Sequence, residues 1–308
     1  MKIIIRRYIV AVATVLSSAI GFMAGAQTLP SLTLQQDPSV LSMGMAGVSS
    51  DAGAYAIQNN VAAISMADKT MDVQVGLGLW QPSYADLMTI GVGGIYRLGK
   101  LGFGLDFKML KMPAYGSVSG NGSDIRDSEF SPREMGIAAG FSYAIIDCLS
   151  AGVSLRYADS RLAEEASAAV FGADIAVYFE KNGISAGLSL NNLGTKVKYA
   201  ETSYSQPMML KVGAGYDLKL GSSALDFDAE ADVLFAGGVM AGAGCEYSFK
   251  DMVFARAGYH FGNSANSVPS YASAGLGLKF FGAQLDFAYL FGSDVLSNSM
   301  CISLGYTF

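Results

Sequence analysis

The sequence has 308 residues, 51% hydrophobic and only 15% charged, with 37 glycines, a formal net charge of −6 and a mean hydropathy of +0.35. Average soluble domains carry about 25% charged residues and about 7% glycine, so an ordinary soluble enzyme is excluded. A spanning helix needs ~20 consecutive apolar residues; only Tyr8 to Ala26 approaches that length, which excludes a polytopic helical membrane protein.

The amino-terminal run has the layout of a signal peptide over residues 1–26. Lys2, Arg6 and Arg7 form the positive region, Ile9 to Phe22 the apolar region, and Ala24-Gly25-Ala26 the small-residue cleavage site. Removing it moves the formal net charge from −6 to −9, which argues against a nucleic-acid partner, since that calls for a basic patch. The three cysteines, Cys148, Cys245 and Cys301, have no CxxC spacing and suggest neither a disulfide framework nor a zinc site.

Residues 27–70 show no period of two. Pro30, Pro38, the run Leu41-Ser42-Met43-Gly44-Met45-Ala46-Gly47 and the stretch Asp51 to Asn60 are small, apolar or turn-forming. A polar tail would not need Met43, Met45 and Val48. The segment is therefore expected to be buried as an N-terminal hatch or plug.

From residue 71 to 308 apolar residues alternate with small or polar ones. In Met71 to Trp80, Val73, Val75, Leu77 and Leu79 share one face and Asp72, Gln74, Gly76 and Gly78 the other. Lys100 to Met109 repeats this, with Leu101, Phe103, Leu105, Phe107 and Met109 against Gly102, Gly104, Asp106 and Lys108. A period of two means a strand with one apolar face. A glycine-rich polar face suits a lumen and leaves the other for lipid. The alternation predicts fourteen strands: 71–80, 87–97, 100–112, 133–145, 148–158, 167–180, 183–191, 207–217, 224–235, 239–249, 252–261, 271–280, 283–291 and 298–308.

The connections add independent information. Tight turns at Leu98-Gly99, Ile146-Asp147, Lys181-Asn182, Leu218 to Ser223, Lys250-Asp251 and Phe281-Gly282 interleave with mostly longer links. The long ones are Pro113 to Pro132, Leu193 to Gln206 and Gly262 to Ser270; Ala236 to Gly238 is short. Short periplasmic turns with longer external loops define an all-β, antiparallel transmembrane β-barrel of about 14 strands in the outer membrane. Closure leaves no backbone unpaired in lipid. Trp80, Tyr96, Tyr143, Tyr157, Tyr178, Phe179, Tyr216, Tyr247, Phe249, Phe261, Phe280 and Phe291 lie near segment ends and are expected in two interfacial girdles.

One strand carries an inward acidic row, Asp226, Asp228, Glu230 and Asp232, with successive carboxylates ~6.6 Å apart at ~3.3 Å per residue. Hard cations take oxygen ligands, so the row is a candidate Ca²⁺ site. Its competing reading is a lumen network with Lys211, Arg156, Arg256 and Lys279. A linear row lacks the convergence Ca²⁺ requires, so no metal ligand is assigned. His260, the sole histidine, shares the inward parity of Arg256. A lipid hydrolase would need a serine and a carboxylate around it. Ser264 follows, but no G-x-S-x-G surrounds it. No catalytic residue and no cofactor are assigned. Gly91-Val92-Gly93-Gly94 lies in a strand, so a phosphate-loop reading fails.

Several motifs carry a resemblance. Leu41 to Val48 is similar to the glycine-rich opening of the PorV/PorQ family of Bacteroidetes, within the FadL-like barrels. Asn60-Val61-Ala62-Ala63-Ile64 resembles that family's Asn-Pro-Ala-x-Leu element, with Val61 in place of proline. Leu190-Asn191-Asn192-Leu193-Gly194 is similar to its Asn-Leu-Gly signature. Ala255 to Tyr259, Gly275 to Leu278 and Leu285 to Tyr289 resemble its late strands and look closer to PorV than to PorQ. The resemblance implies fourteen strands with a hatch and a non-enzymatic part in type IX protein secretion, shuttling or attaching cargo at the outer membrane. Its partners would be outer-membrane lipid, secretion components and exported cargo, met through the two longest loops. The wider FadL-like group implies the alternative, transport of small hydrophobic molecules.

Overall fold

The computed structural model describes residues 29–81, 85–118, 126–163, 167–199, 202–262 and 268–308; the expected leader lies outside them. The described strands are, in chain order, β1 (Met71–Trp80), β2 (Leu87–Leu98), β3 (Leu101–Lys111), β4 (Tyr115–Val118), β5 (Arg126–Phe130) and β6 (Arg133–Ile146). Next come β7 (Leu149–Arg161), β8 (Ser167–Lys181), β9 (Ile184–Gly194), β10 (Val197–Tyr199), β11 (Thr202–Tyr204) and β12 (Met209–Leu220). The last are β13 (Ser223–Leu234), β14 (Val239–Phe249), β15 (Val253–Phe261), β16 (Tyr271–Phe280), β17 (Ala283–Phe291) and β18 (Met300–Thr307).

Fourteen of these close an antiparallel barrel, in the order β1-β18-β17-β16-β15-β14-β13-β12-β9-β8-β7-β6-β3-β2. The closing seam pairs Val75 with Leu304 and Leu77 with Ile302, so the ring has no open edge. Among the described residues no helix is long and apolar enough to cross a membrane. Alternation decides the two faces. Leu105, Leu155 and Phe171 are 64%, 70% and 66% exposed, while their neighbours Asp106, Ser154 and Val170 are buried. The long links carry β4–β5 and β10–β11, two small hairpins outside the ring.

Two aromatics depart from the expected girdles. Trp80 and Tyr178 are 2% and 1% exposed and face inward, Trp80 donating from Nε1 to Thr89 Oγ1 at 2.9 Å. Tyr96, Tyr143, Tyr157, Tyr216, Tyr247, Phe261, Phe280 and Phe291 do face outward. The inner face is also less uniformly polar than its glycines and charges suggest. Trp80, Met209, Leu234, Met240, Tyr271 and Leu290 form a buried cluster with Leu41 and Met45 near the ends that carry the long links.

Residues 29–70 add no strand to the barrel. They form short turns, among them helices at Pro38–Ser42 and Ala56–Asn59 and a 3₁₀ helix at Val61–Met66, and most of this segment is buried. Ile57, Val61, Ala62 and Ile64 pack with Ile95, Ala138, Ala176 and Tyr178 of the wall. The hydrophobic core thus lies in the lumen, and the lipid-facing surface is the exposed apolar one.

Candidate functional site

The contact between residues 29–70 and the inner wall is where the chemistry gathers. Inward glycines make it possible. A Cβ on Gly187 would run into the carbonyl of Val48, and one on Gly242 into that of Gly44. Wall and inner segment therefore touch backbone to backbone, an approach that glycine alone permits. Gly44 and Met45, in left-handed conformation (φ 71° and 64°), turn the chain there.

The acidic row of β13 is the polar rail for this segment. Glu230 Oε2 accepts hydrogen bonds from the backbone N–H of Gly47 and of Val48, both at 2.7 Å. Its other oxygen accepts from Lys211 Nζ on β12 at 2.9 Å. Asp228 accepts from the hydroxyls of Ser49 (2.7 Å) and Ser50 (3.2 Å). Asp232 Oδ2 lies 3.8 Å from Lys211 Nζ, and Asp226 faces Asp217 and Glu246 across the register. Among the described residues no group of acidic, histidine or cysteine side chains is arranged to hold a metal ion. Glu230, Asp228 and Asp232 are engaged with Lys211 and the inner segment, and Glu230 has two partners that side-chain patterns do not reveal, the backbone amides of Gly47 and Val48.

Other wall carboxylates repeat the pattern. Glu134 accepts from Ser31 N at 3.0 Å, and Asp106 from Gln58 Nε2 at 2.7 Å. Lys108 Nζ donates in the opposite sense, to the carbonyl of Leu34 at 2.8 Å. Arg256 joins Glu246 and Asp286, the latter at 2.7 Å. Within the inner segment, the Asp37 carboxylate caps Pro38–Ser42 by accepting from Ser39 N at 2.9 Å. Burial pushes the Asp37 carboxyl above its ordinary pKa and nearby Asp286 adds to this, while the Ser39 hydrogen bonds and Arg256 pull the other way.

The recognised motifs acquire local roles. Asn60 Oδ1 accepts from Ala62 N at 3.0 Å and starts the 3₁₀ helix, while its Nδ2 donates to the Val48 carbonyl at 2.8 Å. Val61 at the first helical position does not prevent the turn, because the N–H a proline would lack has no intrahelical partner there. Asn192 (φ 60°) lies beside a shift in register between β8 and β9. Its N–H donates to Asp174 Oδ1 at 2.8 Å, and its Oδ1 accepts from Arg156, which also pairs with Asp174 at 3.0 Å.

His260 is buried, stacked on Tyr271 at 5.1 Å, with Nδ1 3.2 Å from the Gly44 carbonyl. Among the described residues no hydroxyl or carboxylate hydrogen-bonds to its ring, and Ser264 lies outside them. A cavity of about 50 Å³ lies beside residues 31–35, lined among others by Lys108, Arg156, Lys211 and Asp232.

A closed fourteen-stranded barrel with an apolar exterior and a lumen occupied by its own chain defines the class: a transmembrane β-barrel of the outer membrane. The family described as Type IX secretion system protein PorV matches residues 23–231 of this chain. The chain belongs to that family. No curated protein matches it. Among solved structures, the toluene transporter TbuX of Ralstonia pickettii is similar at a TM-score of 0.64 and 13% identity, over 93% of this chain and 99% of that one. The toluene transporter TodX of Pseudomonas putida gives 0.64 and 14% over 92% and 99%. A Pseudomonas aeruginosa FadL homologue gives 0.53 and 13% over 90% and 99%. At these identities the likeness is one of fold.

Proposed function

We propose that this protein is a non-enzymatic component of type IX secretion that collects or attaches exported cargo at the outer membrane, with residues 27–70 as a hatch keeping the lumen closed. Membership of the PorV family supports the secretion role. The observation that carries the reading is the filled lumen. The cavity beside the inner segment measures about 50 Å³ and has charged walls, whereas a dry apolar cavity that takes up benzene is about 150 Å³. A chain that holds its lumen shut with Glu230, Asp228, Glu134 and Asp106 suits work at the rim. The partner surfaces are then the external links Pro113 to Pro132 and Leu193 to Gln206. A leader cleaved after Ala26, in a Gram-negative cell of the Bacteroidetes type, fits this role.

The second reading, transport of a small hydrophobic molecule, draws on the fold shared with the toluene transporters TbuX and TodX. One experiment separates the two. A strain lacking this protein is compared with its complemented parent for the proteins exported to surface and medium, and purified protein is tested for toluene flux in proteoliposomes. Loss of exported proteins without flux supports secretion. Flux with an unchanged set of exported proteins supports transport.

A further inference from the structure

The outer face of the barrel is almost without charge, and its exceptions are not scattered. Among the described residues of the fourteen barrel strands, the charged side chains that share the parity of the lipid-facing row are Lys111, Arg133, Asp159, Arg161 and Lys181. Lys181 ends β8 on the side of the short turns. The other four stand together on the adjacent strands β3, β6 and β7, at the ends that carry the long links. Register sets Lys111 directly beside Arg133, and Arg133 directly beside Arg161. All three cations are exposed. Arg161 Nε lies 3.6 Å from Asp159 Oδ1, and among the described residues neither Lys111 nor Arg133 has an ion pair. Glu129, exposed four residues before Arg133, pairs with none of them.

Residues directly opposite on neighbouring strands lie about 5 Å apart, and like charges there destabilise the sheet. Three cations with one carboxylate among them therefore call for an outside anion. Their height says where it comes from. Lys111 lies ten residues along β3 from Leu101; at ~3.3 Å per residue and a tilt of ~40° this is ~25 Å along the axis, the height of the apolar band. The patch thus sits at headgroup level. Beneath it Phe107, Ile137, Tyr157 and Phe171 make one register row of exposed apolar side chains, with the last two rings 5.3 Å apart. Cations above such a wall match an amphiphile with an anionic head and acyl chains. A phosphate has enough oxygens to accept from two guanidinium forks and an ammonium together. We propose that Lys111, Arg133 and Arg161 form a binding site for a phosphate-bearing lipid headgroup, with the acyl chains lying on β3, β6, β7 and β8. With the long links outward this is a lipid of the outer leaflet, and the site does not depend on the secretion role.

The test is native mass spectrometry of the full chain in neutral detergent, titrated with diphosphoryl lipid A. The parent is compared with Arg133→Gln, with the triple variant Lys111→Gln, Arg133→Gln, Arg161→Gln, and with Lys181→Gln as the outward cation outside the patch. Heat-modifiable gel mobility verifies that each barrel is folded; if the triple variant does not fold, Arg133→Gln carries the test. The parent should retain lipid A, with affinity lowered about fivefold in Arg133→Gln and about a hundredfold in the triple variant. Lys181→Gln should bind as the parent does. Dipalmitoylglycerol, which has acyl chains but no phosphate, should bind far more weakly, and inorganic phosphate should not displace the lipid. No retention by the parent, undiminished retention by the folded patch variants, or an equal loss in Lys181→Gln overturns the proposal. So does dipalmitoylglycerol binding as tightly as lipid A, which would leave the phosphate without a role. Displacement by inorganic phosphate would make this a site for the free ion and overturn the lipid assignment.

Discussion

Replacing Glu230 by alanine isolates the rail that holds the inner segment. The substitution removes one carboxylate that serves two backbone amides at 2.7 Å and Lys211 at 2.9 Å. Lys211 would be left 8% exposed, with Asp232 at 3.8 Å as its remaining ion pair. Breaking a buried pair by deleting one partner costs about 3–5 kcal/mol, and each orphaned buried amide about 1–3 kcal/mol. These overlap, because the segment escapes most of them by lifting off the wall, so about 3–5 kcal/mol is the expected loss of seating. At 1.4 kcal/mol per tenfold, the released population of residues 45–51 rises at least about a hundredfold. The barrel should be spared, since the backbone of Glu230 remains paired with Gly213 and Gly242. Glu230→Gln keeps an acceptor for the amides but gives Lys211 no charge, and should fall between. Hydrogen exchange of 45–51 measures the effect, with heat-modifiable mobility as the barrel control. Unchanged exchange at 45–51 in Glu230→Ala, or equal loosening of segment and strands, refutes the reasoning.

Gly187→Val should leave the barrel folded but displace Val48, at about 1–3 kcal/mol for overpacking, seen as new protease cleavage within residues 45–51; an uncut, parent-like digest would contradict it. Arg256→Ala strips Glu246 and Asp286 of their shared cation, and should lower the barrel's melting temperature at a cost of about 3–5 kcal/mol; an unaltered melting curve would show the trio to be dispensable. Asp37→Asn keeps a capping oxygen and removes a carboxyl whose folded pKa burial has raised. The raised pKa means the ionised form is disfavoured in the fold, so seating weakens as pH rises through the carboxyl's titration range. Asp37→Asn should therefore slow exchange in residues 39–44 at neutral pH, and the advantage should shrink toward acid pH. A gain independent of pH would rule out the carboxyl as its source.

The barrel was legible because lipid imposes a period of two on every strand. The expected segments 239–249, 271–280 and 283–291 coincide with β14, β16 and β17. Strand β7 runs to Arg161 beyond the expected 158, because Asp159 and Arg161 extend the ladder past the apolar belt where the hydrophobic signal stops. Parity accounts for the two inward aromatics: Trp80 has the parity of Asp72 and Gln74, and Tyr178 that of Asp174, which places both indoors. The rail was half legible. Asp226 to Asp232 form a visible row with Lys211 beside it, but two of the donors to Glu230 are the amides of Gly47 and Val48, which have no side-chain signature.

The central claim, that the protein works at the rim of a closed barrel in secretion, is tested most directly in living cells. Photo-crosslinking residues placed at Tyr115 and Lys198, on the two long external links, should capture exported proteins or secretion components. Capture of neither, with secretion intact in a strain lacking the protein, would contradict it.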